Sequence, residues 1–248
     1  MNDRLAFRCN AGLKHARLKP EHMIAAEPPS PLADVWNRLG GLFGRLGREA
    51  GIPPAASLAV WMVECGGLPF TRGKPILRFE AHVFFEHWGK FNEALFDRHF
   101  QFGGRNVIEG ARWQQHKFRF SGQEEEWLRY HGNQHSEYRA FAVAEKLAGH
   151  ETACLSSSFG GPQIMGFNHA IAGYGSAAEM AAAFANSERW QVCGFFDFCS
   201  ARGIIEALQA GDWHTFAKTY NGPGNAEAYA AKIADAHAMA ERLMRPAL

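Results

Sequence analysis

Glu64 closes a run of six apolar residues, Leu58-Ala59-Val60-Trp61-Met62-Val63, and is followed by Cys65-Gly66-Gly67. A carboxyl at the end of so apolar a stretch sits in poor solvent. Desolvation disfavours its charged form and raises its pKa. A carboxyl kept protonated near neutrality can act as a general acid, the group that cleavage of a glycosidic bond needs. Taken alone, Glu64 reads more readily as a structural glutamate paired with a basic residue. Three glycine-bearing segments change that balance. Gly66-Gly67 would let a bulky substrate approach the backbone. FGGPQIMG at 159–166 is a glycine-rich loop carrying the polar Gln163, and YNGPGN at 220–225 is a turn carrying Tyr220 and Asn221. Segments so far apart in sequence can converge on one cleft.

A second carboxylate, Glu80, follows sixteen residues later. It ends a short strand predicted over Pro75–Glu80. In an inverting glycosidase a second carboxylate activates water, roughly 6.5–9.5 Å from the acid. Glu80 reads equally as that base and as a structural partner of Arg72, Arg78 or a histidine. It could also be the main acid, with Glu64 supporting it. Glu86 and Asp97 are weaker candidates and read as surface charges.

The other chemistry-bearing residues form no motif. His82 and His87 are five apart and no HExxH occurs. His131 and His135 have no acidic partner at helical spacing, and His99 and His116 stand apart. No metal and no cofactor are therefore expected. Cys65 as a nucleophile would need a base within hydrogen-bond reach, and an inert buried thiol is the commoner case. Ser156-Ser157-Ser158 has no GxSxG elbow around it. GGRN at 103–106 and GYGS at 173–176 lack the context of a phosphate-binding loop.

The elements that must position these residues are mainly helical. Leu32–Ala50 carries Val35, Trp36, Leu39, Leu42, Phe43 and Leu46 at helical spacing, although Gly40-Gly41 could break it. The helix from Ala55 to about Cys65 is apolar almost all round, as a buried helix is, and Gly66-Gly67 suits a left-handed cap. Residues 81–100 read as helix plus loop, 101–122 as irregular, and the aromatic spacing from Glu124 as one or two helices. The three serines at 156–158 could cap a helix opening near Pro162. Helices are predicted over 176–185, 187–201, 203–210 and 212–219, with a terminal helix over Ala226–Met244.

The ordered set VECGG, GKPILRFEAHVFF, SSSFGGPQIMGFN and GDWHTFAKTYNGPG resembles the lysozyme superfamily in its goose-type and lytic-transglycosylase style. It is most similar to the N-acetylmuramidase domain of phage-type endolysins. The likeness runs from about Leu32 to the end. It implies a lysozyme-like, mainly α fold with a small β element near residues 68–80. It implies that Glu64 is the acid, that Gln163 and Met165 line a sugar cleft, and that Tyr220 and Asn221 pack beside the acid, with the tyrosine hydroxyl able to hydrogen-bond the carboxyl. Cys65 stands where serine or threonine is commoner. Phe159 stands where tryptophan is commoner, although its ring can still stack on a sugar. Trp88, Trp113, Trp127 and Trp213 read as core, with one or two free to stack likewise.

The implied activity is hydrolysis of the β-1,4 bond between N-acetylmuramic acid and N-acetylglucosamine. Two readings stand beside it: a lytic transglycosylase forming 1,6-anhydro products, and a peptidoglycan-binding module without catalysis. The expected partner is bacterial peptidoglycan, met by a monomer.

The whole chain sets outer bounds. It has 248 residues, 47% hydrophobic, enough for a substantial core. Its 26 Lys+Arg nearly balance 25 Asp+Glu, giving a net charge of +1. A nucleic-acid partner is not expected from that balance. Five cysteines at irregular spacing, Cys9, Cys65, Cys154, Cys193 and Cys199, make a poor disulfide framework. No stretch reaches the ~20 apolar residues of a membrane span, and the N-terminal residues lack the apolar run of a signal peptide. Synthesis in the cytoplasm is expected, with action on the wall after phage lysis or injection. Residues 1–30 end in EPPSP and read as an N-terminal arm or linker; residues 31–248 read as the catalytic domain.

Overall fold

The computed structural model describes residues 15–25, 28–106, 110–112, 114–122 and 126–245. Cys9 and Trp113 lie outside the described residues, as does part of the 1–30 arm. The α-helices are, in chain order, α1 Pro31–Ala50, α2 Pro54–Cys65, α3 Ala81–His87, α4 Glu93–His99, α5 Gln134–Ala148, α6 His150–Leu155, α7 Ala177–Asn186, α8 Glu188–Ala201, α9 Ile205–Ala210, α10 Trp213–Tyr220 and α11 Ala226–Met244. The strands are short: β1 Phe70–Thr71, β2 Lys74–Pro75, β3 Leu77–Phe79, β4 Phe100–Gln101, β5 Lys117–Phe118, β6 Leu128–Arg129, β7 Ser157–Phe159 and β8 Ile164–Met165. The fold is mainly α and lysozyme-like, with the β element expected near 68–80. Among the described residues no helix is long and apolar enough to cross a membrane.

The chain forms two compact units. The first combines Met1–Pro69, Ile171–Gly173 and Asn186–Leu248. Its core gathers Leu39, Leu42, Phe43 and Leu46 of α1 with Leu58, Val60 and Trp61 of α2, Val192, Phe195 and Phe196 of α8, Phe216 of α10 and Ile233 of α11. α2 is buried because it is apolar on every side, and it packs between α1 and α11. Pro54 occupies its first turn, where a missing N–H costs nothing. Gly66, at φ +60°, caps its end by donating its N–H to the Met62 carbonyl.

α1 runs unbroken through Gly40-Gly41. The pair admits a crossing chain rather than a break. A Cβ on Gly41 would stand 2.2 Å from the Lys19 carbonyl oxygen, and the Gly41 and Leu42 N–H groups bond the Leu18 carbonyl.

The second unit combines Phe70–Ala170 and Tyr174–Ala185. It holds three small antiparallel sheets: β1-β2, β3-β7-β8 and β4-β5-β6. α5 packs on β3, and α6 packs on α3 and α5. Its core is aromatic, with Phe79, Phe84, Phe96, Phe100, Phe118 and Tyr130 fully buried.

Sequence patterning reads β3 but misses its partners β7 and β8, and it misses the β4-β5-β6 sheet altogether. β4 begins at the end of the stretch read as helix plus loop, β5 lies in the stretch read as irregular, and β6 lies in the stretch from Glu124 read as helical, where α5 begins only at Gln134. The helix expected near Pro162 is instead the hairpin β7-β8, with Ser158 opposite Met165 and Phe159 opposite Ile164. The serines cap backwards: Ser156 and Ser157 hydroxyls donate to the Thr152 and Ala153 carbonyls at the end of α6.

Candidate active site

Within the first unit, Glu64 lies one residue before the end of α2 and is only partly exposed. The Asn221 amide Nδ2 donates to its Oε1 at 2.7 Å. Burial pushes the carboxyl from 4.5 up to about 7, while the Asn221 bond and the charge of Lys232 pull the other way. The carboxyl therefore holds a proton through mildly acidic pH and releases it near neutrality.

Tyr220, the other residue of the turn, stacks its ring on Phe216 at 5.0 Å and meets Phe198 edge-on at 5.4 Å. Burial, and then the charge of Glu64, raise its hydroxyl pKa well above the ordinary value. Asn221 Oδ1 is buried and has no hydrogen-bond partner among the described residues.

Cys65 offers no nucleophile. Its thiol donates to the Trp61 carbonyl at 3.2 Å, and burial pushes its pKa up to about 12. That bond satisfies the group locally where a serine or threonine hydroxyl would otherwise sit. Gly67 is packed rather than open: a Cβ there would stand 2.7 Å from Val35, and its carbonyl accepts from Arg38.

In the second unit, the β7-β8 hairpin carries Phe159, Gln163 and Met165. Gln163 adopts φ +48°. Its Nε2 donates to the Gly160 carbonyl and its Oε1 accepts from the Ser158 hydroxyl. Both ends of the amide thus tie the turn. Phe159 is 3% exposed and meets Phe141 edge-on, which leaves its ring little surface for a sugar. Met165 is partly exposed in β8. Trp88 stacks on Phe84, Trp127 lies under Arg119 and Trp213 lies against His237.

Glu80 lies between β3 and α3, its side chain 12% exposed. Its N–H donates to the Ser156 carbonyl and its carbonyl accepts from Phe84, which starts α3. Arg78 donates to Oε1 at 2.7 Å. Oε2 is buried without a hydrogen-bond partner among the described residues, as is His82 Nδ1, 3.4 Å away. His116 Nδ1 also stands 3.4 Å from Oε2, and His131 Nε2 stands 3.9 Å away. His131 bonds His116 Nδ1 at 2.6 Å and Glu137 at 2.8 Å. Burial drives His116 down to about 3, so its ring is neutral.

This cluster escapes linear reading. His116 and His131 meet because β5 and β6 pair, with Lys117 opposite Arg129. Along the chain these histidines share no motif that joins them. A cavity of about 500 Å³ in the same unit, lined by Thr71, Arg72, Lys74, Asn133, Gln134, His135 and Tyr138, contains none of the expected site residues.

Among solved structures the chain is similar to the endolysin of Burkholderia phage AP3, with a TM-score of 0.62 and 24% identity over 84% of this chain and 72% of that one. No curated protein matches it. The N-acetylmuramidase family profile matches residues 53–241, which span α2 with Glu64, the β7-β8 hairpin and the Tyr220-Asn221 turn. The chain belongs to the N-acetylmuramidase family.

Proposed function

We propose that this chain hydrolyses the β-1,4 bond between N-acetylmuramic acid and N-acetylglucosamine in bacterial peptidoglycan, with Glu64 as the general acid. One observation carries the reading: a carboxyl at the end of a buried apolar helix accepts a hydrogen bond from Asn221 at 2.7 Å, in surroundings whose burial pushes its pKa up to about 7. Such a group is half protonated at neutral pH and so can both hold a proton and give it up. Glu64 protonates the leaving oxygen while positive charge develops on the sugar. Asn221 fixes the carboxyl, and its Oδ1 is left for a donor from water or substrate.

Glu80 is proposed as the group that activates water. Arg78 occupies its Oε1, and its Oε2 keeps a lone pair free of hydrogen bonds. Tyr220 walls the acid. Met165 and the turn tied by Gln163 are proposed to shape the sugar-binding surface, with Phe159 supporting it from beneath. Membership of a muramidase family and likeness to a phage endolysin support the cell wall as the place of action.

Replacing Glu64 by Gln removes the proton and little else. Lysis of purified peptidoglycan is expected to fall by about 10³-fold, with an unchanged circular dichroism spectrum. Full activity in Glu64→Gln overturns the assignment. Product masses fix the reaction type: hydrolysis adds one water, and a 1,6-anhydro product would instead establish the transglycosylase chemistry that one carboxyl can support.

A further inference from the structure

We propose that Glu80, His82 and His116 bind a divalent transition-metal ion, zinc being the best fit. One carboxylate oxygen and one nitrogen from each ring lie within 4.8 Å of one another. Two nitrogens and one oxygen form a donor set that suits zinc. With metal–ligand bonds of about 2.0–2.1 Å, two ligands of a tetrahedral ion stand about 3.3 Å apart. His82 Nδ1 and His116 Nδ1 each stand 3.4 Å from Glu80 Oε2.

The orphaned atoms point the same way. Buried polar atoms in proteins are almost always hydrogen-bonded. Glu80 Oε2 and His82 Nδ1 face one another, yet neither has such a partner among the described residues. A cation at their common focus would satisfy both.

The surroundings orient the ligands as metal sites do. His116 Nε2 lies 2.9 Å from the Arg112 carbonyl oxygen, which can only accept. The ring hydrogen therefore sits on Nε2, and Nδ1 is bare and turned into the cluster, the arrangement in which a carbonyl fixes a ligand's tautomer. Arg78 holds Glu80 from its other oxygen. Tyr130 stacks on the His116 ring, and Phe102 meets both His82 and His116. His131 Nε2, at 2.6 Å from His116 Nδ1, is too close for both to share one ion. Metal entry therefore moves His131 back, leaving the fourth position to it or to water.

The inference rests on this geometry and not on the muramidase reading. Its consequence for that reading is specific, because the ion would occupy the Glu80 oxygen proposed to activate water.

The test uses the full chain, stripped with chelator and titrated with Zn²⁺ by calorimetry. One ion per chain is expected. Outer-shell changes alone cost 10–100-fold in affinity, so loss of the ligand in His82→Ala is expected to weaken binding by at least about 100-fold. His116 is fully buried and its loss can unfold the unit. The less buried His82 therefore carries the test, with Glu80→Gln as a second variant and circular dichroism as the check on folding. Absence of stoichiometric binding, or equal affinity in folded His82→Ala and Glu80→Gln, overturns the proposal. Lysis measured without added metal reports separately on the muramidase reading.

Discussion

The acidity of Glu64 is set by opposing effects whose signs can be separated. Burial raises it, and the Asn221 amide lowers it by stabilising the ionised carboxylate. Removing the amide removes a donor to the charged form, so the pKa rises further. A general acid works only while protonated, so the alkaline limb of the pH–rate profile follows this pKa. The limb of the native protein is expected near pH 7, and that of Asn221→Ala above it. The rate below the limb is expected to fall about tenfold or more, because the carboxyl loses the bond that orients it. Rate profiles on soluble peptidoglycan fragments check both effects. A limb that stays in place or moves down would show that Asn221 does not act on Glu64.

At the scale of the element, the β7-β8 hairpin is held by a side chain as much as by its ladder. Gln163 bonds both Ser158 and the Gly160 carbonyl across the turn. Gln163→Ala removes both bonds and leaves the buried Ser158 hydroxyl without this partner, at an expected cost of about 1–3 kcal/mol. A urea midpoint that does not move would mean that the strand pairing alone fixes the turn. The same hairpin shows why some elements were legible and others were not. Long helices announce themselves by period and by glycine stops, and α1, α2 and α11 run within a residue or so of the expected bounds. A three-residue strand such as Ser157–Phe159 has no period to read. It becomes a strand because β3 lies alongside, with Leu77 opposite Phe159, and that partner is 82 residues away. Sites divide in the same way. Glu64 and Asn221 each carry a local signature of apolar helix end or glycine turn. Glu80 is legible as the end of a predicted strand, but His82, His116, His131 and Glu137 around it carry no such signature. They are assembled by the β5-β6 pairing and by the start of α5, so their chemistry exists only in the fold.

The unit that bears Glu64 is closed by segments far apart in the chain. Glu64 and Asn221 are 157 residues apart, and the helix carrying the acid packs against both α1 and α11. Closing so long a loop costs entropy that only the packed core returns. The geometry of the acid therefore depends on α11, which contributes Ile233, Ala236 and Ala240 to that core and carries Lys232. Ile233 is fully buried. Its truncation in Ile233→Ala is expected to destabilise the chain by about 2–4 kcal/mol through lost burial and the cavity left behind. Neither Glu64 nor Asn221 is altered by that change, so lysis at low temperature should persist and fail at a lower temperature than in the native protein. Urea unfolding followed alongside lysis checks this. A loss below about 1 kcal/mol, small against the range for buried isoleucine, would mean that α11 lies on the unit without closing it, and that the Glu64–Asn221 pair is held by α2 and α10 alone.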